Sequence, residues 1–72
     1  MRIRLIAGAW QIRAIERDIR PSAAAVAEAA GIPRTTMYRM VRGKQPSSEA
    51  IAALMDTLDC PFERLFERVR AE

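Results

Sequence analysis

The sequence predicts an all-α fold, five short helices packed as one compact domain over residues 1–72. Three observations carry this. Half of the 72 residues are hydrophobic but only 6% are aromatic, and Ala, Ile, Leu, Met and Val dominate, a set that favours helices packed on helices over a sheet. Proline and glycine recur at short intervals, punctuating segments of helical length. Within those segments apolar residues return at three- and four-residue spacing. A chain of this length holds a single domain that buries roughly 60% of the surface exposed by its unfolded form, so its stability is modest and association with a second copy would reinforce it.

Residues 2 to 5 read Arg-Ile-Arg-Leu, a period-two alternation compatible with a short strand ahead of the first helix. Helix one is expected around Ala7 to Asp18, with Ile12, Ile15 and Ile19 on one apolar face and Trp10 well off it. Two uses of Trp10 stay open: packing against the C-terminal helix or the N-terminal arm, or membership of a dimer surface. Arg20-Pro21 ends this helix, because the residue before proline is pushed out of helical geometry. Ser22 is the expected N-cap of helix two, Ala23 to Ala30, and Gly31 its stop. Pro33 suits the first turn of helix three, which runs to about Val41 or Arg42 before Gly43. After the loop Lys44-Gln-Pro-Ser-Ser, Ser47 or Ser48 caps helix four, whose Ile51, Leu54, Met55 and Leu58 fall at i, i+3, i+4 and i+7. Helix five is expected from Pro61, with Phe62, Leu65, Phe66 and Val69 repeating that spacing.

Twelve Lys and Arg against nine Asp and Glu give a formal charge of +3, a weak pointer to an anionic partner. The distribution says more. From Ile19 to Ser48 there are five basic residues, Arg20, Arg34, Arg39, Arg42 and Lys44, and the single acid Glu28. That stretch carries +4 and the rest of the chain −1, a polarisation suited to meeting nucleic acid with one face. With no histidine and one cysteine, Cys60, the usual metal ligands and catalytic bases are missing, so neither an enzyme nor a cofactor is expected. Cys60, in an apolar corner before Pro61, reads as a core residue. Gln11 and Arg13 interrupt the apolar run from Leu5 to Trp10 before it reaches the length of a signal core or a membrane span. A cytoplasmic protein is expected.

The segment Ser22 to Lys44 carries the chemistry. Val26, Ala27 and Ala30 of helix two and Met37 and Met40 of helix three form the inward faces, with Ile32 bridging the turn. Two helices crossing steeply through a three- or four-residue turn bring their backbones close, so a bulky residue at Ala27 or a Cβ at Gly31 is expected to clash. A helical hairpin without a nucleic-acid role explains these small residues equally well, but not what faces outward. Each residue of helix three advances roughly 100° about its axis, which groups Arg34, Tyr38, Arg42, Thr35 and Arg39 within about 140° and sets Met40 and Met37 on the other side. The polar set contains no acid. A merely solvated face mixes signs to gain i,i+4 pairs, whereas this one accepts repulsion between arginines. Arginine can pair with guanine O6 and N7, threonine offers a hydroxyl and a methyl, and tyrosine a hydroxyl on a flat apolar body. Arg34 and Thr35 lead into the groove with Tyr38 and Arg39 one turn later, while Arg42 and Lys44 leave the helix where phosphates lie. The N–H groups near Ala23 at the start of helix two offer a further anion site.

The stretch SAAAVAEAAGIPRTTMYRMVRG, Ser22 to Gly43, resembles the helix-turn-helix of the phage Cro and C1 repressor type, the XRE family, and PSSEAIAALMDTLDCPFERLF is similar to that family's fourth and fifth helices. The resemblance implies a five-helix lambda-repressor-like domain, usually a dimer, that docks helix three in the major groove of a palindromic operator. Its base-reading positions fall on Arg34, Thr35, Tyr38 and Arg39, and its backbone-contacting positions on Ser22, Ala23, Thr36, Arg42 and Lys44. At Ala23 many members carry a phosphate-touching glutamine, so the backbone N–H remains there.

The leading expectation is therefore a sequence-specific regulator of transcription, a repressor that binds double-stranded DNA as a homodimer. Phe62, Leu65, Phe66, Val69 and Trp10 are the dimer candidates, although packing on helix one accounts for the apolar face of helix five as well. With no second domain for a small-molecule ligand, control would come from concentration, proteolysis or a partner protein. The competing class is an antitoxin-like or adaptor module that binds another polypeptide, with DNA contact secondary. Non-specific nucleoid or RNA binding is disfavoured, because stacking aromatics are nearly absent apart from Tyr38.

Overall fold

The chain's own helix-ending signals set its architecture. A computed structural model describes residues 2–70, in the order β1 (Arg2–Leu5), α1 (Ala9–Glu16), α2 (Ala23–Ala30), α3 (Arg34–Val41), α4 (Ser48–Leu58), α5 (Phe62–Leu65) and β2 (Phe66–Val69). Helix α2 starts at the Ser22 cap, whose Oγ accepts from the Ala25 N–H at 3.1 Å, and α4 starts at Ser47, whose Oγ accepts from Ala50 at 3.2 Å. Pro33 and Pro61 stand in extended conformation one residue before α3 and α5. Helices α1 to α4 end in one way: a residue with positive φ follows, and two backbone bonds turn back over the last turn. At α2, Gly31 donates to the Glu28 carbonyl and Ile32 to Ala27; at α3, Gly43 donates to Met40 and Lys44 to Arg39.

Helices α1 and α4 use the same closure with aspartates in the left-handed position, Asp18 at φ 60° and Asp59 at φ 47°. Ile19 donates to Ala14, and Cys60 to Met55. Helix α1 thus stops at Glu16, ahead of the Arg20-Pro21 stop expected from the sequence. Ile19 is left outside the helix, and the expected Ile12-Ile15-Ile19 face is not the buried one. Trp10, 4% exposed, and Ala14 point inward, while Ile12 and Ile15 are 61% and 62% exposed. An eight-residue helix has one side to bury, and the side with the large indole and a small alanine four residues later buries the greater area and lets α1 approach closely.

The second correction concerns the C-terminus. Helix α5 is a single turn; Phe66 adopts φ −126° and ψ 153°, and Phe66–Val69 becomes a strand. It pairs antiparallel with β1 in the register Arg2 with Val69, Ile3 with Arg68, Arg4 with Glu67 and Leu5 with Phe66. The N-terminal alternation is thus a strand, and its partner overrides the helical spacing of Phe62, Leu65, Phe66 and Val69. Leu65, Phe66 and Trp10, three of the residues expected as dimer candidates, lie in the core of their own chain, whereas Phe62 and Val69 stay partly accessible. The Phe62 and Phe66 rings still meet, stacked with centroids 5.3 Å apart.

Met37, Met40, Leu54, Leu58, Leu65 and Val26 fill the centre, with Ala27, Ala14, Ala50 and Cys60 buried among them. Among the described residues no polar or charged side chain is buried. Helix α4 is the hub, since α1, α2 and α5 all pack on it, and α3 is held between α2 and β1.

Candidate nucleic-acid interface

Helices α2 and α3 pack more extensively on each other than any other helix pair, and Ala27 of α2 is fully buried. The turn between them is Gly31-Ile32-Pro33, with Ile32 folded against the core. A Cβ built on Gly31 meets nothing within 4 Å, so the expected clash there does not occur. Glycine is needed instead because φ is +72°, a conformation that costs other L-residues roughly 1–2 kcal/mol.

Burial divides α3 cleanly. Met37 and Met40 are buried at 0% and 1% exposure and anchor it to the core. Arg34, Thr35, Tyr38 and Arg39, the four residues assigned to base reading, are all exposed, Tyr38 at 44%. Among the described residues, neither Arg34 nor Arg39 has a salt bridge or a side-chain hydrogen bond to the protein. Their guanidinium forks, each with five N–H donors, are available to a ligand.

The residues assigned to phosphate fall in two places. Ser22 and Ala23 are half-buried at the start of α2, where Ser22 Oγ is engaged as the cap and the first N–H groups of the helix have no intrahelical partner. Arg42 and Lys44 are exposed at the far end of α3. Thr36, half-buried, lines a cleft of about 180 Å³ with Arg39, Met40, Lys44, Gln45, Pro46 and Ser47. Thr36, Arg39 and Lys44 thus share one side of the helix, and Arg34 and Tyr38 another.

Val41, seven residues after Arg34 and so nearly in phase with it, is 48% exposed and adds an apolar side chain beside the outer face of α3. One feature of this surface has no local signal in the sequence. From β1, Arg2 Nη2 donates to the Gly43 carbonyl at 2.7 Å, and the Ile3 N–H donates to Gln45 Oε1 at 2.7 Å. The N-terminal strand is therefore fastened to the segment that follows α3, a contact spanning more than forty residues of sequence. Pairing with the C-terminal strand and these two bonds set the position of β1, all of them contacts beyond the reach of any local window of the sequence.

The family model described as the Cro/C1-type HTH DNA-binding domain matches residues 11–71. No curated protein and no solved structure matches the chain. Among the described residues there is no cluster of three or more metal-ligating side chains, and no helix is long and apolar enough to cross a membrane.

Proposed function

Because the chain belongs to the Cro/C1-type HTH DNA-binding domain family, a family of DNA-binding regulators, we propose that it is a sequence-specific repressor that binds a palindromic operator as a dimer and occludes a promoter. Residues 1–72 act as one such domain, with the helix-turn-helix at about 23–42. The observation that carries this reading is the outer face of α3: Arg34, Thr35, Tyr38 and Arg39 are exposed together with no acid among them, while Met37 and Met40 hold the helix to the core. An arginine without an intramolecular partner retains its full capacity for a bidentate guanine contact. Arg34 and Thr35 read the bases first, Tyr38 and Arg39 follow one turn later, and Ser22, Ala23, Thr36, Arg42 and Lys44 hold the flanking phosphates. Two copies on one face of the duplex place their half-sites roughly 34 Å apart.

Selection of bound sites from a random duplex library tests this proposal. The expected result is an enriched palindrome with half-site centres about one helical turn apart. Enrichment of an asymmetric site would remove the dimer, and no enrichment at all would remove sequence specificity. Among the original dimer candidates, Phe62 and Val69 are the ones partly accessible for such a contact.

A second reading rests on α1. Ile12 and Ile15 are exposed one turn apart, and Ile12 lines a cleft of about 400 Å³ with Ala9, Arg13, Cys60, Pro61 and Arg64. An apolar pair of this kind suits a protein partner, as in an adaptor or antitoxin-like module. Affinity for genomic fragments at physiological salt separates the two. Binding no better than to random DNA, with a protein retained on the immobilised chain that Ile15→Asp releases, would favour the adaptor.

A further inference from the structure

The N-terminal strand begins against the loop that follows α3, where Arg2 and Ile3 bond to Gly43 and Gln45. We propose that Arg2 is a further phosphate-contacting residue, held beside Arg42 and Lys44 by its hydrogen bond to the Gly43 carbonyl. The proposal rests on the DNA-binding reading above and adds to it a residue far away in sequence.

Three observations support it. First, the guanidinium is placed: Nη2 donates to Gly43 at 2.7 Å, and the Ile3 N–H bonds Gln45 Oε1 from the next residue of the strand. Both bonds reach the loop that follows α3, just past its C-cap Arg42. Second, Arg2 is not used up. Among the described residues it has no carboxylate partner and makes that one side-chain bond, which leaves most of its five donors directed elsewhere. Arg4, two residues on, differs, because its Nε is bound to Glu67 Oε2 at 2.6 Å. That pair also quenches the one acid lining the cleft between β1 and the end of α3, which includes Arg42 and Gly43. Third, Arg42 and Lys44 flank Gly43 in the chain and are both exposed. Arg2 is exposed as well, so its bond to Gly43 brings a third cation to this loop, where an anion is attracted.

Salt dependence of binding separates a phosphate contact from a helix cap. Each phosphate neutralised contributes about 0.9 to the slope of log affinity against log salt on duplex DNA. The slope is measured for the wild type, Arg2→Gln, Arg2→Lys and Lys44→Ala on a selected 20-base-pair duplex and a scrambled one, with folding checked by circular dichroism. The expected result is that Arg2→Gln lowers the slope by about 0.9, as Lys44→Ala does, equally on both duplexes, while Arg2→Lys keeps it. An unchanged slope in Arg2→Gln, with wild-type binding intact, overturns the inference alone. Equal weakening by Arg2→Gln and Arg2→Lys at unchanged slope reduces Arg2 to a cap of α3 and overturns it too. A wild type that binds neither duplex overturns the DNA-binding reading and this inference together.

Discussion

The helix-turn-helix, Ser22 to Lys44, and the terminal unit made of β1, α5 and β2 are built on different principles. In the first, each boundary is fixed within a few residues: a serine cap, a glycine with positive φ, a proline before α3 and a second glycine after it. In the second, the decisive interactions join residues more than forty positions apart, β1 to β2 and β1 to the loop after α3. The helix-turn-helix is thus locally encoded but held from a distance, since Leu5 and Phe66 of the terminal strands enter the core and β1 is bonded to the loop after α3.

The sharpest way to break the comparison is to cut the terminal unit. If β2 is part of the common core, Phe66→Ala should cost about 3–5 kcal/mol of unfolding free energy, read by denaturant titration, and melt α2 and α3 in the same transition. Separate transitions would show that the helix-turn-helix stands alone. Next in size is Ala27→Leu, which overfills the core at a fully buried position of α2 and should cost about 1–3 kcal/mol. Gly31→Ala should cost about 1–2 kcal/mol from backbone strain alone, because space for the methyl is open. A markedly larger loss would mean that the turn is tighter than described. The smallest effect belongs to Ile15→Ala: exposed on α1, it should change the melting free energy by no more than about 0.5 kcal/mol, whereas a core isoleucine would cost several times that.

The same division decides what could be read from sequence. The bounds of α2, its cap and its glycine stop, the extent of α3, and its Met37-Met40 inner face are all consequences of neighbours in the chain, and they match the structure. Helix α1 failed on Asp18, because an aspartate can occupy the left-handed position that glycine advertises openly. Its buried face failed because isoleucine spacing outweighed the larger area of Trp10. The stretch from Phe62 to Val69 failed for a different reason. Phe66 and Val69 fit a helical stripe as well as a strand, and what chooses between them is the hydrogen-bonding edge of β1 at the other end of the chain. The exposure of Arg34, Thr35, Tyr38 and Arg39, and of Val41 seven residues after Arg34, follows from helical phase, while the contact of Arg2 with Gly43 does not.

The central claim is that the exposed face of α3 reads bases while its C-terminal end grips the backbone. It is tested most directly by measuring the affinity of Arg39→Ala and Lys44→Ala for the selected operator and for a scrambled duplex. Arg39→Ala should lose about 1–3 kcal/mol on the operator and little on the scrambled duplex, relaxing preference at one base pair, and Lys44→Ala should weaken both alike. Equal losses on the two duplexes for Arg39→Ala would contradict the claim.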